Sequence, residues 1–249
     1  MGTTSNATKV LAALFIAAIP LFLITAGVTW AVNDLRLYSH GFDKYNIPAA
    51  TGIEREGLIQ VGRDLRAYFN SRQEPLEVRA EVFGQERRLF SAREVLHMRD
   101  VKRLVWGVYI LGAIAAVYLL GVTAVGLLWK GARFASLLSR WVLWGGVATI
   151  GLIAVVGLTA LVAFDQLFLA FHKVSFANDF WRLDASRDYL VIMFPDGFWF
   201  DATLFVAFVA IGGALLLSAA AGGYLLVRRH RIRREIGSVL PQQEKVLRV

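Results

Sequence analysis

Residues 104–129 read LVWGVYILGAIAAVYLLGVTAVGLLW, without a single Asp, Glu, Lys, Arg or His. A helix needs about 20 predominantly apolar residues to cross a bilayer. This run exceeds that requirement, and three others match it: Val10–Val32, Trp141–Phe164 and Ala202–Val227 are also free of ionisable side chains. The first is longer than the roughly 7–15 residues of a signal-peptide core, so it reads as a retained anchor. The sequence predicts an all-α membrane bundle of four transmembrane helices, with a small extracytoplasmic α+β cap.

Working outward from these runs divides the chain into nine segments. Residues 1–9 form the N-terminus, 10–32 the first span, 33–103 the cap and 104–129 the second span. Residues 130–140 form a connecting loop, 141–164 the third span, 165–201 an aromatic-rich outer loop, 202–227 the fourth span and 228–249 a basic tail. Segments 1–9, 130–140 and 228–249 carry 11 Lys and Arg against Glu235 and Glu244. Segments 33–103 and 165–201 carry 16 basic and 17 acidic residues. The positive-inside rule then predicts a multi-pass protein of the cytoplasmic membrane. Both termini and 130–140 face the cytoplasm, and the two large loops face outward. The net charge of +8 is therefore topological. The cluster Arg228–Arg234 reads as an anchor against membrane lipid, not as a nucleic-acid surface.

Composition narrows the function further. Mean hydropathy is +0.53 and 57% of residues are hydrophobic, which excludes a disordered or fibrous chain and argues against a soluble enzyme. There is no cysteine, so disulfide scaffolds, thiol nucleophiles, iron–sulfur clusters and Cys-type zinc sites are excluded. The charge-free spans speak against a permease, because ionisable residues inside spans mark ion and proton paths. Ala210, Ala214, Ser218 and Gly222 recur every four residues and predict close helix packing.

The cap has legible local signals. After an irregular stretch at Asn46-Ile47-Pro48, Leu58, Val61, Leu65 and Phe69 recur at helical spacing and predict a helix near 54–70. The alternation from Leu76 to Val82 predicts a strand, with a turn at Gly84 and a return strand at Arg88-Leu89-Phe90. Ser91-Ala92-Arg93-Glu94 fits a capping box, which predicts a helix starting there and running into the second span. Arg99, Lys102 and Arg103 are snorkelling candidates near its base.

Two histidines stand out. His230 lies in the basic tail, and His40 lies in a polar loop with no evident partner. His97 precedes the second span, and His172 follows the third beside Phe164, Phe168 and Phe171. Counting along the helices puts both at one depth near the outer surface. Two groups that titrate near neutrality at one level of a bundle point to acid–base chemistry. The 11 aromatics between residues 164 and 200 fit either an interfacial belt or an apolar cleft open to lipid tails. Zinc on His97, His172 and Asp184 is an alternative, but no close ligand motif such as H-E-x-x-H supports it. No G-x-S-x-G elbow is present.

At these residues the chain resembles the lipoprotein intramolecular transacylases, bacterial integral membrane proteins with four spans. The resemblance covers about residues 10–227. One stretch that carries it holds Leu89-Phe90, Glu94 and His97-Met98-Arg99-Asp100-Val101-Lys102. The other holds Phe171-His172, Phe176, Asn178, Trp181, Leu183-Asp184, Asp188, Met193-Phe194-Pro195 and Phe198. Ala185 departs from the proline that many members carry.

The resemblance implies a membrane acyltransferase at the outer leaflet whose two essential histidines match His97 and His172. Its substrate is the N-terminus of a diacylglyceryl lipoprotein. The sn-2 acyl chain moves from glycerol to the α-amine of the modified cysteine, giving the N-acyl lyso form. That chemistry converts an ester into an amide, so it calls for no cofactor and no metal. Asn178, Trp181, Asp184 and Asp188 are the expected supporting residues around the histidines, with loop turns and helix caps as the competing role. His172 is the expected base, because its loop is acidic, and His97 the expected oxyanion partner. The alternative is a non-catalytic membrane protein whose outer cap binds a lipid or a protein partner.

Overall fold

The four apolar runs lie within three long helices. The computed structural model describes the backbone of residues 6–246 and the side chains of residues 6–234. The outermost parts of the expected N-terminus and basic tail, residues 1–5 and the side chains of 235–249, lie outside the described residues. Helix α1 spans Asn6–Asn33, α5 spans Ala92–Ser175 and α7 spans Asp196–Val246. Each contains a stretch long and apolar enough to cross a membrane.

Helix α5 folds back on itself. A straight helix would separate His97 from His172 by about 110 Å. Their ring centroids are 6.1 Å apart. The reversal falls at Gly131, whose φ of +50° is a left-handed conformation that glycine adopts without a Cβ penalty. Beside it, a Cβ on Gly126 would run into the ring of Phe134. Phe15 touches both limbs, 6.5 Å from Tyr118 and 5.7 Å from Trp141 between ring centroids. The loop expected over residues 130–140 is thus helical almost throughout, because one left-handed residue is enough to turn the chain.

The structure divides into two compact units. One holds residues up to 23, 115–152 and from 210 onward. In it, Ala210 and Ala214 are fully buried, and a Cβ on Gly146 would collide with the Ser218 hydroxyl. Three of the four predicted small residues therefore sit at a close helix contact, where short side chains let backbones approach.

The other unit, residues 24–114 and 153–209, carries the cap. Helices α2 (Leu35–Lys44), α3 (Ile47–Thr51) and α4 (Arg55–Phe69) precede a hairpin of β1 (Arg79–Val82) and β2 (Gln85–Arg88). Helix α4 buries Leu58, Val61, Leu65 and Phe69, as the helical spacing predicts. The stretch at 46–48 is not irregular. Asn46 turns the chain at φ +51° and Pro48 lies in the first turn of α3, where its missing N–H costs nothing. His40 lies on α2, within electrostatic reach of Asp43 and Asp201, not in a partnerless loop.

The hairpin turns one residue early. Phe83 and Gly84 both have positive φ, as in a type I′ two-residue turn. The return strand therefore starts at Gln85 and pairs Val82 with Gln85 and Arg79 with Arg88. Phe83 adopts this strained conformation with its amide bonded to Gly52 O at 2.8 Å.

The core of the cap joins Phe42, Ile47, Ile53, Leu58 and Leu65 to Met98 and Val105 of α5, and to Met193, Phe194 and Phe198 further along the chain. Met193 belongs to the short helix α6 (Tyr189–Met193). This packing fixes the first limb of α5, and with it His97, against the cap.

Candidate active site

The site is built on α5. Its capping box is complete: Ser91 Oγ accepts from Glu94 N at 3.3 Å, and Glu94 Oε2 accepts from Ser91 N at 2.7 Å. The second oxygen of the buried Glu94 accepts from Leu190 N at 2.7 Å. One carboxylate thus caps α5 and holds the start of α6. One helical turn later comes His97, buried at 7% exposure.

His172 lies on the returning limb, its ring tilted 32° from that of His97. Its Nδ1 is 2.8 Å from the carbonyl oxygen of Phe168. A carbonyl only accepts, so Nδ1 carries the hydrogen. In the neutral ring Nε2 therefore presents a lone pair.

Aromatic rings enclose the pair. Phe168, Trp181, Phe171 and Phe176 lie 4.4, 5.1, 5.3 and 5.7 Å from His172 between ring centroids. Phe176 also meets His97 edge-on at 5.1 Å. Burial in this apolar surround is the main reason His97 is pushed down from 6.5 to about 4, with the neighbouring His172 lowering it further and Asp100 opposing. His97 is accordingly a neutral imidazole near pH 7.

The surroundings differ from those expected for His172. Its neighbours are aromatic rings, and the carboxylates of its loop are engaged elsewhere. Asp179 pairs with Arg182 at 3.1 Å and Asp184 with Arg187 at 3.5 Å. The cations expected around His97 also turn away. Lys102 is 6% exposed, donates to Gln73 O at 2.6 Å and sits 4.0 Å over the Tyr68 ring. Arg103 pairs with Asp100 at 3.3 Å. Lys102 thus does not snorkel, because Glu74 and Tyr68 give its charge partners inside the cap.

The four expected supporting residues divide into two pairs. Trp181 faces His172 directly. Asn178 donates from Nδ2 to Asp100 Oδ2 at 2.8 Å and accepts from Phe180 N at 3.0 Å. It therefore ties its loop to the helix that carries His97. Asp184 and Asp188 shape the loop instead. Asp184 Oδ1 accepts from Ser186 N and Oγ at 2.9 and 2.7 Å, which holds its carboxyl below the usual range. The buried Asp188 accepts from Asp184 N at 2.7 Å. Asp184 is therefore not placed to complete a metal site with the two histidines. Among the described residues no three His, Asp or Glu side chains cluster as metal ligands.

Phe168, expected beside His172 from its spacing of four residues, is there. Asp100 and Phe176 stand in the stretches that carry the family resemblance but were given no role at the site. Asp100 was detectable as the first acidic residue after His97 on the same face, one turn along.

Comparison with known proteins agrees with this architecture. The family model described as lipoprotein intramolecular transacylase Lit matches residues 13–199, about three-quarters of the chain. An uncharacterized protein of Aquifex aeolicus (strain VF5) is 27% identical over 168 residues, which is 67% of this chain and 72% of that protein. The membrane-integral lipoprotein intramolecular transacylase Lit of Bacillus cereus shares the fold. One structure of it superposes with a TM-score of 0.76 at 19% identity, covering 89% of this chain and 97% of that one. Another, carrying a histidine substitution, superposes with a TM-score of 0.72 at 18% identity over 90% and 94% of the two chains. With the family model matched across both histidine stretches and the fold shared, the chain belongs to the lipoprotein intramolecular transacylase Lit family.

Proposed function

We propose that this protein catalyses intramolecular O-to-N acyl transfer on bacterial lipoproteins. The sn-2 acyl chain of an S-diacylglyceryl cysteine moves to the cysteine's own α-amine, leaving the N-acyl lyso form. The observation that carries the proposal is the His97–His172 pair, 6.1 Å apart between ring centroids inside an aromatic enclosure, in a member of this family.

The substrate's α-amine has a pKa of about 7.7–8.0 and is largely protonated at neutral pH. His172 Nε2 takes a proton from it. The freed nitrogen attacks the sn-2 ester carbonyl carbon. The neutral N–H of His97 donates to the oxyanion that develops on the carbonyl oxygen. The carbon–oxygen bond to glycerol breaks, and the proton held by His172 passes to the departing glycerol oxygen. The acylated nitrogen then gives its second proton to His172, which releases it to water and leaves the neutral amide. One ester bond is lost and one amide bond is gained, with no co-reactant. Nucleophile and ester belong to one molecule, so holding the lipid folded supplies the rate advantage of proximity. The aromatic rings suit acyl and glyceryl groups and keep water away from the ester.

The reading places the chain in the cytoplasmic membrane as four passes: α1, the two limbs of α5, and α7. The limbs of α5 supply the passes at 104–129 and 141–164. The charge asymmetry of the connecting segments supports cytoplasmic termini and a site at the outer leaflet.

The test is expression in a host whose lipoproteins keep a free α-amine, followed by mass spectrometry of a reporter's N-terminal peptide. The native chain is expected to yield the N-acyl lyso form, while His97→Ala and His172→Ala leave the diacylglyceryl form. Well-expressed native protein that leaves the diacylglyceryl form unchanged overturns the proposal and favours a binding role for the cap.

A further inference from the structure

The first limb of α5 carries a second pattern, on the side away from the histidines. At 100° per residue, Arg99 and Trp106 project about 180–200° from His97. Arg99, Arg103, Trp106, Ile110 and Ile114 follow one another at spacings of four, three, four and four residues, a single face of the helix. Trp106, Ile110 and Ile114 are exposed, as is the Arg103 side chain.

The two arginines are incompletely used by the protein. Arg99 Nε is fully buried and has no hydrogen-bond partner among the described residues. That nitrogen is therefore not spent on any partner inside the protein, and the charge of Arg99 is not neutralised by an ion pair among the described residues. Arg103 meets one oxygen of Asp100 at 3.3 Å with its side chain 70% exposed, and Asp100 already accepts from Asn178. Both cations lie within electrostatic reach of the Tyr68 hydroxyl, one helical turn from each other. Lys102 between them is committed inward to Gln73 and Glu74. The Trp106 indole nitrogen is also spent, on Phe69 O at 2.9 Å, which leaves its ring as a flat exposed wall.

We infer that this face is a binding site for one anionic phospholipid of the surrounding membrane. Its phosphate lies between Arg99 and Arg103, its glycerol against Trp106, and an acyl chain along Ile110 and Ile114. Guanidinium forks match phosphate oxygens in a bidentate manner. The dimensions fit. Arg103 to Ile114 is 11 residues, about 16 Å along the helix. The hydrocarbon half-thickness of a bilayer is about 15 Å. A free phosphate would use the arginines but leave the aromatic and aliphatic stripe without purpose, and the continuity of the stripe selects the lipid. Arg99, Trp106 and Ile110 project about 180–220° from His97, so the site meets the histidine side only through the Arg103–Asp100 pair.

The test is native mass spectrometry of the full chain, delipidated in detergent and supplied in turn with phosphatidylglycerol, phosphatidylcholine and inorganic phosphate. Wild type is expected to retain one phosphatidylglycerol, and Arg99→Ala/Arg103→Ala to retain about a hundredfold less, the loss of two charge-assisted contacts at roughly tenfold each. Ile110→Ser/Ile114→Ser leaves both arginines in place and is also expected to lose the lipid. An unchanged thermal midpoint in either double variant confirms that the fold persists. Equal retention of phosphatidylglycerol by wild type and a folded double variant overturns the inference. So does equal retention of phosphatidylcholine, or displacement of the bound lipid by inorganic phosphate.

Discussion

Asn178 donates a hydrogen bond from Nδ2 to Oδ2 of Asp100 at 2.8 Å, joining residues 78 positions apart. Asp100 lies one turn after His97, and Asn178 lies six residues after His172. The bond therefore fixes the distance between the two limbs that carry the histidines. Arg93 adds a second tie across the same gap, donating to Asp179 O at 2.6 Å.

Removing the amide tests this positioning role. Asn178→Ala is expected to lower kcat about tenfold or more, since a hydrogen bond to a charged group contributes roughly 1.5–3 kcal/mol. KM should move little, because the aromatic side chains beside the histidines remain in place. Asn178→Asp, which sets two carboxylates against each other, should be worse. Transfer kinetics on a synthetic diacylglyceryl peptide check both, and an unchanged kcat in Asn178→Ala removes the positioning role.

His97 makes the fold sensitive to acid. Burial lowers it to about 4, whereas in the unfolded chain it takes its proton near 6.5. Between those values the unfolded state binds more protons, so stability rises with pH across the window. The contribution of neutral His97 is present above pH 6.5 and is lost as pH falls toward 4. At about 1.4 kcal/mol for each pH unit, it amounts to roughly 3 kcal/mol. Thermal midpoints in detergent from pH 7.5 to 4.5 should fall for wild type and fall less for His97→Gln. Parallel curves would show that His97 is not the group responsible.

Glu94 is expected to matter to stability more than to chemistry. Its two oxygens accept from Ser91 N and Leu190 N inside the cap. Glu94→Ala strands both donors and should cost about 2–4 kcal/mol, while Glu94→Gln keeps one acceptor and should cost less. Hydrogen exchange at the Leu190 amide gives the local readout. Its protection should drop in Glu94→Ala even where the protein stays folded.

Trp181 is expected to decide the fate of the acyl chain. Its ring lies 5.1 Å from His172 and closes one side of the enclosure. Trp181→Ala opens that side, and water then competes with the amine for the ester carbonyl. The ratio of free fatty acid to N-acyl product should rise several-fold, while Trp181→Phe stays near wild type. A slower reaction with an unchanged ratio would mean that Trp181 only positions the substrate.

The sequence alone determined every feature that depends on neighbours along the chain. Charge-free runs marked the long apolar helices, because transfer of apolar surface from water needs only composition and length. Helical spacing located α4, and the Ser91–Glu94 box located the start of α5, since both follow from contacts three or four residues apart. Counting turns from the apolar runs put His97 and His172 at one level. The first misreadings were local: the hairpin turns at Phe83-Gly84 because the pairing takes two positive-φ residues, and the 130–140 connection stays helical because Gly131 alone reverses it.

What surrounds each histidine was decided only by the tertiary structure. The acidic loop after His172 predicted carboxylates beside it, yet Asp184 and Asp188 satisfy backbone N–H groups of their own loop, and aromatic rings line the site. The basic run after His97 predicted cations beside it, yet Lys102 turns to Glu74 and Arg103 to Asp100. Net charge in a segment says nothing about which side chains find closer partners. Those partners are set by bonds such as Asn178 to Asp100 and Leu190 to Glu94, which span 78 and 96 residues and exist only once the limbs of α5 have folded together.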